Sequence, residues 1–94
     1  MKDEAKKALV AAEQNVAFRT TELMAAQANE IQVTDYLMKV LDDLTVTRSS
    51  QARAEYNKLQ VEVTHARDSV NVANAELAAA EKVAMDARIN FDRF

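Results

Sequence analysis

Residues 40–56 read VLDDLTVTRSSQARAEY. Whether one helix crosses this stretch or the chain reverses in it decides the fold. The question arises because a regular apolar stripe lies on either side. Stepping forward by threes and fours from Tyr56 gives Tyr56, Leu59, Val63, Ala66, Val70, Ala73, Leu77, Ala80, Ala84, Ala87, Phe91 and Phe94, all apolar or aromatic. The residues between them are mostly Glu, Asn, Lys, Asp and Arg. This is the a/d pattern of a heptad seam. The front half carries a stripe of its own: Ala5, Leu9, Ala12, Val16, Arg19, Leu23, Ala26, Glu30, Val33, Leu37, Val40 and Leu44, interrupted by Arg19 and Glu30.

The two stripes are out of phase. Leu44 is an a position of the first, whereas the second, extended backwards, places its a positions at Asp42 and Ser49. The mismatch amounts to an insertion of five residues. Coiled coils absorb insertions of four or three as stutters and stammers, but five is neither. At about 100° per residue the seam of a continuous helix would swing by roughly 140°, so one partner could not follow both halves. A reversal at residues 45–50 removes the conflict, because each stripe then faces the other. The stretch TVTRSS suits a break. Two Thr and a Val lower helix propensity, and Thr47, Ser49 or Ser50 is able to cap a second helix by accepting a backbone N–H bond.

The reading is therefore all-α: a long antiparallel helical hairpin (coiled coil) over residues 1–94. Its first helix covers about residues 3–45, the turn about 45–50 and the second helix about 50–93, each helix being roughly 65 Å long. The alternative is an unbroken helix of roughly 140 Å in a parallel oligomer. Glycine content speaks for that alternative, since helices so often end on a left-handed Gly and this chain has none.

Composition narrows the function classes. With no Gly and no Pro the chain has little means of building irregular loops, and Ala supplies much of its apolar content. The lack of Cys removes disulfides, thiolate nucleophiles and cysteine metal sites. A net charge of -3 argues against a general phosphate-backbone binder, which needs clustered Lys and Arg. The N-terminal residues mix acids with bases and lack the apolar core of a secretory signal. No stretch approaches the roughly 20 apolar residues of a membrane span. The expectation is a soluble chain, cytoplasmic if complete, with no nucleic-acid partner and no membrane insertion.

A turn centred between residues 47 and 48 brings level those positions whose numbers sum to about 95. Arg19 then meets Glu76, and Glu30 meets His65, with Glu62 and Arg67 nearby. A polar residue at a seam position costs stability but fixes register. The Ala-rich seam brings the helices close and buries little area, so a lone hairpin of this size is marginal. Apolar residues also lie off the stripes: Met24, Ile31, Met38 and Leu41 in the front half, Val72, Ala75, Ala79, Val83 and Ile89 in the back. A helix apolar on more than one side usually has more than one neighbour. The chain is expected to be a homo-oligomer, most simply a dimer of hairpins forming a helical bundle, or to bind a helical protein partner.

No constellation points to chemistry. Glu62 and His65 have the Glu-x-x-His spacing of carboxylate-bridged metal bundles, but Val63 takes the inward position and leaves both flanking it. Capping accounts for Ser49 and Ser50. The aromatic residues form no stacking platform for bases. Phe91 and Phe94 are expected to clamp the open end of the seam. No catalytic, cofactor-binding or metal-ligating residue is assigned, no cofactor is implied, and the chain is not expected to be an enzyme.

The stretch ARAEYNKLQVEVTHARDSVNVANAEL, residues 52–77, resembles the periplasmic helices of TolC-like outer-membrane channels. ARINF, residues 87–91, resembles the returning helix of the hairpin in efflux membrane-fusion proteins. Both families use long antiparallel helices in tripartite export machines, so the resemblance implies a hairpin module or helper of an efflux or secretion assembly. The chain departs from the fusion proteins at the tip, where their Arg, Leu and Ser constellation finds no counterpart across residues 37–50. No functional residue carries over. From the residues themselves, the leading expectation is a structural or interaction protein that self-assembles or captures a partner helix.

Overall fold

The computed structural model describes residues 1–94 as two helices and no strand: α1, Lys2–Thr47, and α2, Ser50–Asp92. They pack against each other as an all-α helical hairpin. Reversal takes only Arg48 and Ser49. Arg48 closes α1 in the left-handed conformation at φ 51°, and its N–H donates to Leu44 O at 2.9 Å. This is the left-handed cap that Gly usually supplies; here an L-residue adopts it at a steric cost of about 1–2 kcal/mol. Ser49 caps α2. Its Oγ accepts from Ala52 N–H at 3.0 Å, and its carbonyl accepts from Arg53 N–H at 3.1 Å.

α1 continues to Thr47, past the expected end near residue 45. The Thr45 and Thr47 hydroxyls donate back to Leu41 O and Asp43 O, at 2.9 and 2.8 Å. Both threonines therefore satisfy themselves inside the helix instead of starting the turn. Of the three candidate caps, only Ser49 does the work.

The seam is formed in two compact units, Met1–Met24 with Val72–Phe94, and Ala25–Asn71. In the first, Ala5, Leu9, Ala12, Ala73 and Ala80 are buried, and Val16, Leu23, Leu77, Ala84, Ala87 and Phe91 are half-buried. In the second, Val40, Leu59, Val63 and Ala66 are buried, and Val33, Leu37, Leu44, Tyr56 and Val70 are half-buried. No large side chain is fully enclosed in either unit, because two helices share one seam and no third layer covers it.

Phe94 corrects the expected aromatic clamp. α2 ends at Asp92, and Phe94, held by its N–H to Phe91 O at 3.1 Å, is 56% exposed. A heptad position beyond the last helical turn no longer points at the seam. Phe91 alone closes the end, with the Lys2 ammonium 5.8 Å from its ring centroid.

Candidate interaction surface

The polar interruptions of the seam divide into one close pair and one loose one. In the first unit, Arg19 Nη1 donates to Glu76 Oε2 at 2.7 Å and to Glu22 at 3.1 Å. Both carboxylates and the guanidinium are half-buried. The guanidinium carbon also lies 5.5 Å from the Phe18 ring centroid. Arg19 is thus held on three sides, as a register-setting residue should be. In the second unit, Glu30 pairs with Arg67 at 3.7 Å, not with His65, which is exposed. His65 is a c position of α2, turned from the seam. Arg67 is an e position and flanks it, so its long side chain reaches the carboxylate. The expected Glu30–His65 pair is therefore replaced by Glu30–Arg67.

No group of three or more His, Asp or Glu side chains gathers where it would hold a metal ion. Glu62 and His65 both lie exposed. Open grooves run along the helices. One in the second unit is lined by Gln27, Glu30, Ile31, Thr34, Asp35 and Arg67; one in the first is lined by Glu13, Val16, Glu81, Ala84, Met85 and Arg88. No family model, curated protein or solved structure matches the chain. No helix is long and apolar enough to cross a membrane.

What remains is apolar surface. Of the off-stripe residues singled out from the sequence, only Leu41 is half-buried; Met24, Ile31, Met38, Val72, Ala75, Ala79, Val83 and Ile89 are all exposed. Met24 and Ile31 stand 64% exposed. Scattered single apolar residues on a surface need no explanation, but those on α1 are not scattered. In α1, Met24, Ile31 and Met38 are successive b positions seven residues apart, and Val10 and Ala17 continue the series backwards. Stripe-counting missed Val10 and Ala17, because it followed only the residues that form the hairpin seam. The signal was available: a second strict seven-residue spacing, one helical row round from the first.

Proposed function

We propose that this chain is a non-enzymatic structural and interaction protein, a coiled-coil hairpin that works by self-assembly or by taking up a partner helix. The observation that carries the reading is the heptad spacing of exposed apolar residues on α1, from Val10 to Met38. A row repeating every seven residues matches the periodicity of another helix wound alongside. It does not match a small ligand, a flat sheet edge or a phosphate backbone. The mixed, mildly acidic polar surface favours a protein partner over nucleic acid in the same way.

The thin seam supports the same conclusion from energetics. Five of the nine buried apolar residues are Ala, which removes little area from water, and small domains with little buried surface gain most from association. Sedimentation equilibrium across a dilution series, with circular dichroism at each concentration, tests the reading. Dimers or larger species that dissociate on dilution, with loss of helix, are expected. A chain that stays monomeric and fully helical at every concentration overturns it.

A further inference from the structure

We infer that the partner is a second copy of this chain, docked antiparallel on one face of the unit Met1–Met24 with Val72–Phe94, about a two-fold axis that passes Ala17 and Ala78. The inference rests on the reading above and adds the occupant, the face and the axis.

Contacts within this unit fix its two sides. Arg19 holds Glu22 and Glu76, both g positions, on one side of the seam. On the other side the e positions Glu13 and Arg88 approach to 4.0 Å, and Glu13, Val16, Glu81, Ala84 and Met85 line one groove with Arg88. The b positions stand beyond the e positions on that side: Val10, Ala17 and Met24 from α1, Ala78 and Met85 from α2. All five are exposed. They form two ridges with a groove between them, a surface that a single helix cannot cover and a second hairpin can.

Arg19 and Glu76 touch, and their numbers sum to 95. By the same count Ala17 is level with Ala78, and Val10 with Met85. A two-fold axis perpendicular to the helices at the level of Ala17 and Ala78 therefore serves both ridges at once. It lays α1 antiparallel on α1 of the second copy, and α2 on α2. Met24 of the second copy then comes to the level of Val10 and Met85. At the axis the facing residues are Ala, so the two hairpins approach closely there, with the longer side chains interdigitating outside them.

Charge selects this axis. Between residues 10 and 24 of α1 and 72 and 84 of α2, the charged residues of the face are Glu13 and Glu81. About the chosen axis Glu13 comes level with Thr21 of the second copy and Glu81 with Ala75. The exposed amide of Asn74, one residue away, is a donor for the Glu81 carboxylate. Each Glu13 is eight residues along the axis from its own copy, about 12 Å. In the same span Arg19 meets Asn15, Glu22 meets Ala12, Glu76 meets Ala80 and Lys82 meets Asn74, so no charge meets its like. An axis midway between Val10 and Ala17 would bring Glu13 and Glu81 within one residue of their own copies. An axis parallel to the helices would set Glu13 beside Glu81 twice per dimer. Both are repulsive.

Single cysteines test the geometry cleanly, because the chain has none of its own. Under mild oxidation A17C and A78C are each expected to convert mostly to a disulfide dimer. A mixture of V10C and M24C should give the mixed disulfide in excess over either homodimer. A79C, an exposed c position on the opposite side of α2, should remain largely monomeric. Charge at the axis supplies an independent readout. A17E and A17K each set like charges against each other and should weaken self-association by about tenfold. An equimolar mixture of the two should restore it, a rescue that misfolding cannot mimic. A dimer in which A17C and A78C cross-link no better than A79C, and in which the A17E and A17K mixture gives no rescue, overturns this face while leaving self-assembly standing. A strictly monomeric, helical protein overturns both.

Discussion

The two compact units use the same seam pattern with different materials. In Met1–Met24 with Val72–Phe94, four of the five buried residues are Ala, and the polar interruption is closed by a 2.7 Å ion pair. In Ala25–Asn71 the buried residues are Val40, Leu59, Val63 and only one Ala, and the interruption is a loose 3.7 Å pair. Where side chains are small the helix faces carry little area, and a well-held polar contact sets the register. Where side chains are branched, apolar burial does most of the holding and the ion pair is incidental.

The largest expected effect separates the units by size of side chain. Leu59→Ala removes a buried Leu from the second unit, and thermal unfolding should show a loss of about 2–3 kcal/mol. The first unit should fail in the opposite direction. There Ala73→Leu forces apart helices that meet over a methyl group, at a cost of about 1–3 kcal/mol. Tolerance of Ala73→Leu without loss of stability would show that close approach is not what holds that unit.

A smaller effect sharpens the contrast between the ion pairs. Arg19→Ala should destabilise by about 1 kcal/mol, the upper range for a pair of this exposure, because Glu22 and Glu76 are left close together without their shared cation. Glu30→Ala should change stability by no more than about 0.5 kcal/mol in either direction, since the released Arg67 is already largely in water. Denaturant titrations at low salt compare the two. Equal effects would dissolve the distinction between them.

The smallest change lies in the turn. Arg48→Gly relieves the left-handed strain, and the extra freedom of Gly in the unfolded chain offsets part of that gain. A net stabilisation of about 0.5–1 kcal/mol is expected in chemical denaturation. A loss there would mean that the Arg48 side chain contributes more than its backbone costs.

Much of this architecture was legible in the sequence. All twelve residues of the front stripe, and all of the back stripe but Phe94, are buried or half-buried. The five-residue phase break located the reversal, and level-counting across it found Arg19 with Glu76. The rest was hidden for identifiable reasons. Several ionisable residues of α2 lie level with Glu30, and which one pairs depends on the side of the seam each occupies, a finer matter than level. Nothing in composition marks Arg48 as left-handed, because the usual marker is a glycine. Phe94 failed because a periodic pattern does not record where its helix stops. The outer ridge of α1 was half seen: its Met and Ile residues were noticed as surplus, but not as a row with its own spacing.

The phase break has a further consequence for a hairpin whose reversal is only two residues long. If Arg48 returned to the right-handed region, α1 and α2 would be free to fuse into one rod, and two such rods would be candidates for exchanging arms. The roughly 140° offset between the stripes works against that exchange, since a straightened chain would present its halves to opposite sides and no single neighbour would satisfy both. The same five residues that mark the turn thus also discourage arm exchange, and they do so without a proline or a glycine to enforce it.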